Sequence, residues 1–320
     1  MLNNLIVAIS GGAGRIGSAF SKAVVENGGK VIIGDINSEF GNQLVAELGD
    51  NVALFFEGNL TEPNTVDLII RKGLEKFGKI DAAVHCAYPV SEQWGTRFED
   101  LKPASIEEDL FNQLGGAILF SQRMIHHFRQ QGHGNLVLIS SIQGVAAPKF
   151  EHYEGTDMVS PIEYSAIKAG IINIARYLAK YCKNQNIRVN CISPGGILTN
   201  QPEIFLAKYR NSCTSKGMLN ASDLSGTLMY LLSNHSKYIK NKFLAVKLNT
   251  NASLLNEDLC RDILDSDIHT LVFSADAVNE PLYSTMRVNG NLNKVLNNIK
   301  QFPGIQYTEK KTKNREEASK

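Results

Sequence analysis

The sequence contains no stretch able to cross a bilayer: no apolar run reaches the roughly 18 residues that a spanning helix needs. Cysteine is scarce. Its five copies, Cys86, Cys182, Cys191, Cys213 and Cys260, form no CxxC pair and no metal-ligand spacing. That scatter excludes a disulfide scaffold, points to no metal site, and reads as reduced thiols of a cytosolic chain. Charge of one sign is also missing, with 33 Lys+Arg against 32 Asp+Glu. A net +1 provides no field to gather nucleic acid or an anionic membrane, so any anionic ligand must be held locally. Leu5–Ile9 is too short for a signal h-region, has no basic residue before it, and runs into glycines. The chain is expected to be cytoplasmic.

What is present is an ordinary globular composition, 43% hydrophobic and 20% charged, with 26 glycines in 320 residues. At roughly 150 residues per domain, that length allows two domains or one large one. Short apolar runs at Leu5–Ser10, Lys30–Asp35, Val52–Glu57, Ile80–Cys86, Asn135–Ser140 and Arg188–Ser193 show little alternation. Strands of that kind are buried on both faces, which is the habit of a parallel sheet. Helix-period segments at Gly17–Asn27, Asn64–Phe77, Ile106–Gln131 and Ser165–Asn184 lie between them. The alternation predicts a doubly wound α/β fold of the Rossmann kind over residues 1–248.

The first predicted strand runs into Ser10-Gly11-Gly12-Ala13-Gly14-Arg15-Ile16-Gly17, and a helix follows. Glycines in that context let backbone N–H groups approach a pyrophosphate at a helix N-terminus. Asp35 closes the second strand, where a carboxylate can accept from ribose hydroxyls and repels a 2′-phosphate. Arg15 works the other way, since its guanidinium could pair with a phosphate. NAD is therefore the expected cofactor and NADP the less favoured one. Further on, Tyr164 and Lys168 sit four residues apart on one helix face. A neighbouring ammonium would favour the phenolate and bring a pKa near 10 toward the working range. Ser141 ends a predicted strand just before them, and Asn112 precedes Gly115 and Gly116.

With these motifs in order, the chain resembles a classical short-chain dehydrogenase/reductase over about residues 3–240. The resemblance implies Tyr164 as acid/base, Lys168 as its modulator and ribose anchor, Ser141 as the group orienting substrate, and Asn112 as the anchor of a relay water. It further implies that Gly11, Arg15, Ile16 and Gly17 hold the pyrophosphate side and that Asn59 and Leu60 flank the adenine. Ala87, Pro194, Ile197 and Thr199 would complete the cofactor site, the last two at the nicotinamide amide. Family members usually assemble through the helices near 106–131 and 165–184, implying a homodimer or homotetramer.

Three departures stand out. Arg15 replaces the family's middle glycine, and His85-Cys86-Ala87-Tyr88 replaces the usual Asn-Asn-Ala-Gly, with His85 expected to be structural. The Ser141-to-Tyr164 interval is longer than usual by about ten residues, through an added segment Pro148–Met158. That segment is similar to the flagellin-modification dehydrogenases of bacterial surface-sugar pathways, legionaminic acid among them, and implies a sugar or sugar-phosphate substrate. Lys149, His152 and Tyr153 are its candidate hydrogen-bonding groups.

From about residue 240 the composition turns to Asn, Lys and Asp. Phe243–Leu248 could fill a seventh-strand slot but lacks the family's Gly and Asp marks. Residues 249–303 read as an atypical α/β extension resembling a fragment of a radical S-adenosylmethionine enzyme. The cluster-binding cysteines that such chemistry needs are absent, so a rearrangement remnant without that chemistry is expected. The end, 304–320, is almost wholly polar from Thr308 and is expected to be disordered. A second reading follows from this altered end: a protein that binds the cofactor without turning over.

Overall fold

The computed structural model describes residues 2–214, 216–237 and 239. It also describes the backbone of 249–250 and 272–273, and residues 294 and 297. The chain divides into two compact units, Met1–Ala245 and Val246–Lys320.

In the first unit the apolar runs become β1 (Ile6–Ser10), β2 (Lys30–Asp35), β3 (Ala53–Glu57), β4 (Ala82–His85), β5 (Gly134–Ile139) and β6 (Ile187–Ile192). They form one parallel sheet in the order β3-β2-β1-β4-β5-β6. Every residue of β1, β4 and β5 is buried, as the absence of alternation implies. Two apolar clusters explain this. One packs Ile32, Ile69, Phe120, Phe128 and Ile171 on one face of the sheet, and the other packs Phe20, Ile33, Val84, Leu228 and Leu231 on the other.

The helices are α1 (Arg15–Glu26), α2 (Ser38–Leu48), α3 (Pro63–Phe77), α4 (Pro103–Asp109), α5 (Gly116–Gln131), α6 (Ile162–Tyr181), α7 (Glu203–Asn211) and α8 (Ser225–Leu232). The sequence predicts one helix over 106–131, and the structure is helical throughout that stretch with one change of pitch. A turn of π-helix, Leu110–Gly115, separates α4 from α5. The Gly115–Gly116 pair lies at its end. A Cβ on Gly116 would lie 2.9 Å from Thr61 Cγ2, so the glycine lets this helix approach the loop after β3.

The chain runs outward from β1 through β2 to β3, then returns to the far side of β1 with β4. The switch point between β1 and β4 is where doubly wound sheets open a crevice for ligands. In the second unit, Asn249–Thr250 pairs in parallel with Val272–Phe273, and Lys294 and Asn297 are helical. The expected seventh strand Phe243–Leu248 and the disordered end 304–320 lie outside the described residues. So do most of the extension's expected elements: the helices Leu254–Leu264 and Leu292–Phe302, and the strand His269–Ser274 beyond its two described residues.

Candidate active site

The loop after β1 is shaped by what its glycines leave out. Gly11 has φ of 67°, the left-handed region that favours glycine, and a Cβ there would lie 2.6 Å from the Ala87 nitrogen. A Cβ on Gly17 would lie 2.1 Å from the Gly11 carbonyl oxygen. Gly14 starts α1 without a side-chain cap, and the first turn carries no acidic residue. The unpaired N–H groups and positive end of this helix therefore remain for an external anion.

Asp35 closes the rim. Its carboxylate accepts the Ala13 and Asn37 N–H groups, each at 3.0 Å. The Gly58 N–H donates to the Asp35 carbonyl at 2.9 Å, bringing the turn of Asn59 and buried Leu60 beside it. Asn59 Oδ1 is occupied by the Thr61 N–H and hydroxyl. Across the opening, Arg15 is exposed and reaches the Leu198 carbonyl at 3.5 Å, while Ile16 packs into the core. The Pro194 carbonyl accepts the Ile142 N–H at 2.9 Å, Ile197 bridges to Leu219, and the Thr199 N–H donates to Gln201 Oε1 at 2.6 Å. This space and donor set fit a dinucleotide.

Ser141, Tyr164 and Lys168 converge. The Ser141 hydroxyl favours the ionised form of the Tyr164 phenol, and Lys168 Nζ lies 5.4 Å from the Tyr164 ring centre. Lys168 is buried, donates to the Ile139 carbonyl at 3.3 Å, and lies 5.2 Å from the Tyr88 ring centre. Its carbonyl accepts the Ser140 hydroxyl at 2.6 Å, fixing α6 to the end of β5. Asn112 lies half-buried in the π-turn, a local geometry found mostly at functional sites.

The electrostatics depart from the sequence expectation. Burial raises the Tyr164 pKa, the Ser141 hydrogen bond opposes that rise, and the phenols of Tyr153 and Tyr209 add to it. Burial also lowers Lys168 to about 8. The expected lowering of the phenol by its neighbouring ammonium is thus not seen in the free protein, where burial sets the direction of both shifts.

Two aromatic residues that the motifs leave unmarked cover this group. Tyr88 and the single tryptophan, Trp94, stand edge-on to the Tyr164 ring at 5.8 and 6.1 Å and to each other at 5.6 Å. Their loop is tied down by buried Asp109, which accepts the Ser91 N–H and hydroxyl at 2.7 Å each. Gln143 is the other unmarked residue. Its Nε2 donates to the Tyr153 hydroxyl at 3.4 Å, and its Oε1 accepts from Ser160 and Ser165. Position Ser141 plus two was the only sequence signal for it.

His85 is buried against Phe120, with ring centres 5.0 Å apart, and burial lowers its pKa to about 3. It is a neutral part of the sheet. His152 needs a correction as a substrate-binding candidate. It is buried, shares a 2.6 Å hydrogen bond with Ser212 and packs on Tyr209. Lys149 is exposed, and only Tyr153 of the three candidates faces the catalytic group through Gln143.

Glycines shaped for a pyrophosphate and a phenol set for proton transfer, at one edge of a doubly wound sheet, describe a dinucleotide-dependent oxidoreductase. The chain belongs to the short-chain dehydrogenase/reductase family. A family model described as enoyl-(acyl carrier protein) reductase matches residues 11–247. A post-translational flagellin modification protein A of Campylobacter coli is 44% identical over 250 residues, covering 77% of this chain and 98% of that one. A 7alpha-hydroxysteroid dehydrogenase of Bacteroides fragilis is 30% identical over 252 residues, covering 76% and 93%. Among solved structures, a short chain dehydrogenase of Leptospira borgpetersenii with bound NAD+ aligns with a TM-score of 0.65 at 29% identity, covering 75% and 90%. No helix among the described residues is long and apolar enough to cross a membrane.

Proposed function

We propose that this chain is a cytoplasmic NAD-dependent dehydrogenase that interconverts a secondary alcohol and a ketone. Its proposed substrate is a sugar or sugar phosphate of bacterial surface-glycan or flagellin modification. The observation that carries the reading is the Ser141–Tyr164–Lys168 group at the same sheet edge as the Asp35-rimmed glycine cradle. The sugar assignment is supported by the flagellin-modification relative and by the polar pair Gln143 and Tyr153 beside the aromatic wall.

Bound in the cradle, NAD+ would supply the hydride acceptor. The chain's own groups do the rest. Gly11, Arg15, Ile16, Gly17 and Ala87 border the pyrophosphate. Asp35 accepts from the ribose diol, with Asn59 and Leu60 beside the adenine. Pro194, Ile197 and Thr199 orient the amide end. In the oxidation direction Tyr164 takes the substrate hydroxyl proton, Ser141 holds that oxygen, Lys168 favours the phenolate, and Asn112 anchors the water that carries the proton onward.

The test separates binding from turnover. NADH and NADPH are titrated by fluorescence, and sugar phosphates and nucleotide sugars are then screened at the nicotinamide absorbance band. Turnover of any such sugar is the expected result. Tight NADH binding with no turnover of any sugar would favour the second reading, a cofactor-binding protein impaired by its altered end. Asp35→Ala should tighten NADPH binding at least about tenfold relative to NADH, because it removes a like charge from the 2′-phosphate position. A wild-type protein that already prefers NADPH would sink this reading of Asp35.

We further propose a homodimer or homotetramer. Its support is a groove of about 650 Å³ between α5 and α6, lined by Ile118, Ile125, Ile174, Tyr177, Leu178 and Tyr181. For the stretch 249–303 we propose a remnant that takes no part in catalysis, its likeness to a radical S-adenosylmethionine fragment carrying no chemistry here. Light scattering and NADH titration address these points. A chain truncated after Leu248 should keep the full chain's NADH affinity and oligomeric state. A full chain running at 35.2 kDa removes the oligomer, and a truncated chain that cannot fold or bind NADH removes the remnant.

A further inference from the structure

The added segment and the loop after β6 are far apart in sequence, yet one side chain joins them. Tyr209 on α7 accepts the Gly196 N–H through its hydroxyl at 2.7 Å. Gly196 is fitted around it: a Cβ there would lie 3.1 Å from Tyr209 Cζ and Oη. The Gly196 carbonyl accepts the Leu219 N–H at 2.8 Å, and the Leu198 N–H donates to the Leu219 carbonyl at 2.7 Å. This short bridge holds Ile197 between them.

The other side of the Tyr209 ring meets the added segment. Its ring centre lies 5.2 Å from that of His152 and 5.8 Å from that of Phe205, which is buried and in turn 5.1 Å from Tyr153. His152 is pinned to α7 by Ser212 at 2.6 Å, and Lys208 donates to the Glu154 carbonyl at 2.8 Å. Tyr153 continues the path through Gln143 to Ser165, next to Tyr164. A continuous set of packed rings and hydrogen bonds therefore runs from the substrate side to the backbone proposed to meet the nicotinamide.

We propose that Tyr209 is a positioning residue that couples the substrate-side segment Pro148–Met158 to the nicotinamide-side loop Pro194–Thr199. It touches neither reacting atom and acts by fixing the Gly196 amide, so the order of the segment sets the grip on the cofactor. The inference rests on the dinucleotide reading and goes beyond it by assigning the added segment a role in cofactor affinity.

A double-mutant cycle read by NADH fluorescence titration tests it. Tyr209→Phe keeps the ring and removes only the acceptor, and it should raise the NADH Kd about 3- to 10-fold, the range of one hydrogen bond. His152→Ala lies on the far side of Tyr209 and should raise it about 2- to 5-fold. The double variant should be no weaker than the weaker single variant, because both act on one contact. Hydrogen exchange at the Gly196 amide should quicken in both single variants. If His152→Ala fails to fold, Ser212→Ala takes its place. Single-variant affinities within twofold of wild type, or effects that multiply independently, overturn the coupling. A wild-type chain that does not bind NADH overturns the dinucleotide reading and the coupling with it.

Discussion

Replacing Tyr164 by Phe lowers turnover roughly a thousandfold while leaving the NADH Kd within about twofold. The turnover figure follows from the usual contribution of a positioned acid/base group, about 10²–10⁴. Affinity is spared because the lost hydroxyl faces Ser141, whereas the glycine cradle and Asp35 lie on other loops. Stability should fall by only about 1 kcal/mol, one hydrogen bond's worth, since the ring still packs against Tyr88 and Trp94. Stopped-flow turnover, NADH titration and urea unfolding on one preparation check all three. Turnover within tenfold of wild type would remove Tyr164 from the proton-transfer role.

The second large effect has opposite signs for stability and activity. Lys168→Met should make the protein more stable at pH 7 by about 1–3 kcal/mol and lower turnover by about 10²-fold. The reason is the cost of a buried ammonium, which lowers Lys168 from 10.5 to about 8. Below pH 8 both folded and unfolded chains hold the proton, so the folded state carries the whole desolvation cost. Between about 8 and 10.5 the folded state has released its proton while the unfolded state retains it, so wild-type stability from this group rises with pH. The Met variant lacks that rise, and its advantage should shrink over the same window. Urea unfolding at pH 7 and pH 10 decides the matter. A Met variant less stable than wild type at pH 7 would show that the hydrogen bond to Ile139 outweighs desolvation.

Why the two residues behave differently from their spacing is instructive. Four residues on a helix put Tyr164 and Lys168 side by side, and that much is legible in the letters. Spacing carries no information about how dry the site is. Tyr88 and Trp94 close over the pair from a loop held by Asp109, 55 residues before Tyr164. Their coverage removes water, and desolvation then sets the direction of the shift on both groups. His152 teaches the same lesson. Its type and place in the added segment suit a substrate donor, but Ser212, 60 residues later, and the Tyr209 ring take it into the packing.

The sequence by itself determined the parallel sheet, because short apolar runs without alternation, separated by helix-period segments, suit strands covered on both faces. It determined the cradle as well, since residues without a Cβ are the ones that permit the approach of Gly11 to Ala87 and of Gly17 to Gly11. It also placed Asp35 and the Tyr-x-x-x-Lys pair, because a strand end and a four-residue helix spacing are local features. Only the tertiary structure decided the π-turn at Leu110–Gly115, the aromatic wall, the reversal of the Tyr164 shift and the Tyr209–Gly196 link. Each of these arises from contacts between segments distant in the chain, and burial and hydrogen-bond partnership are properties of those contacts rather than of any residue's own neighbourhood.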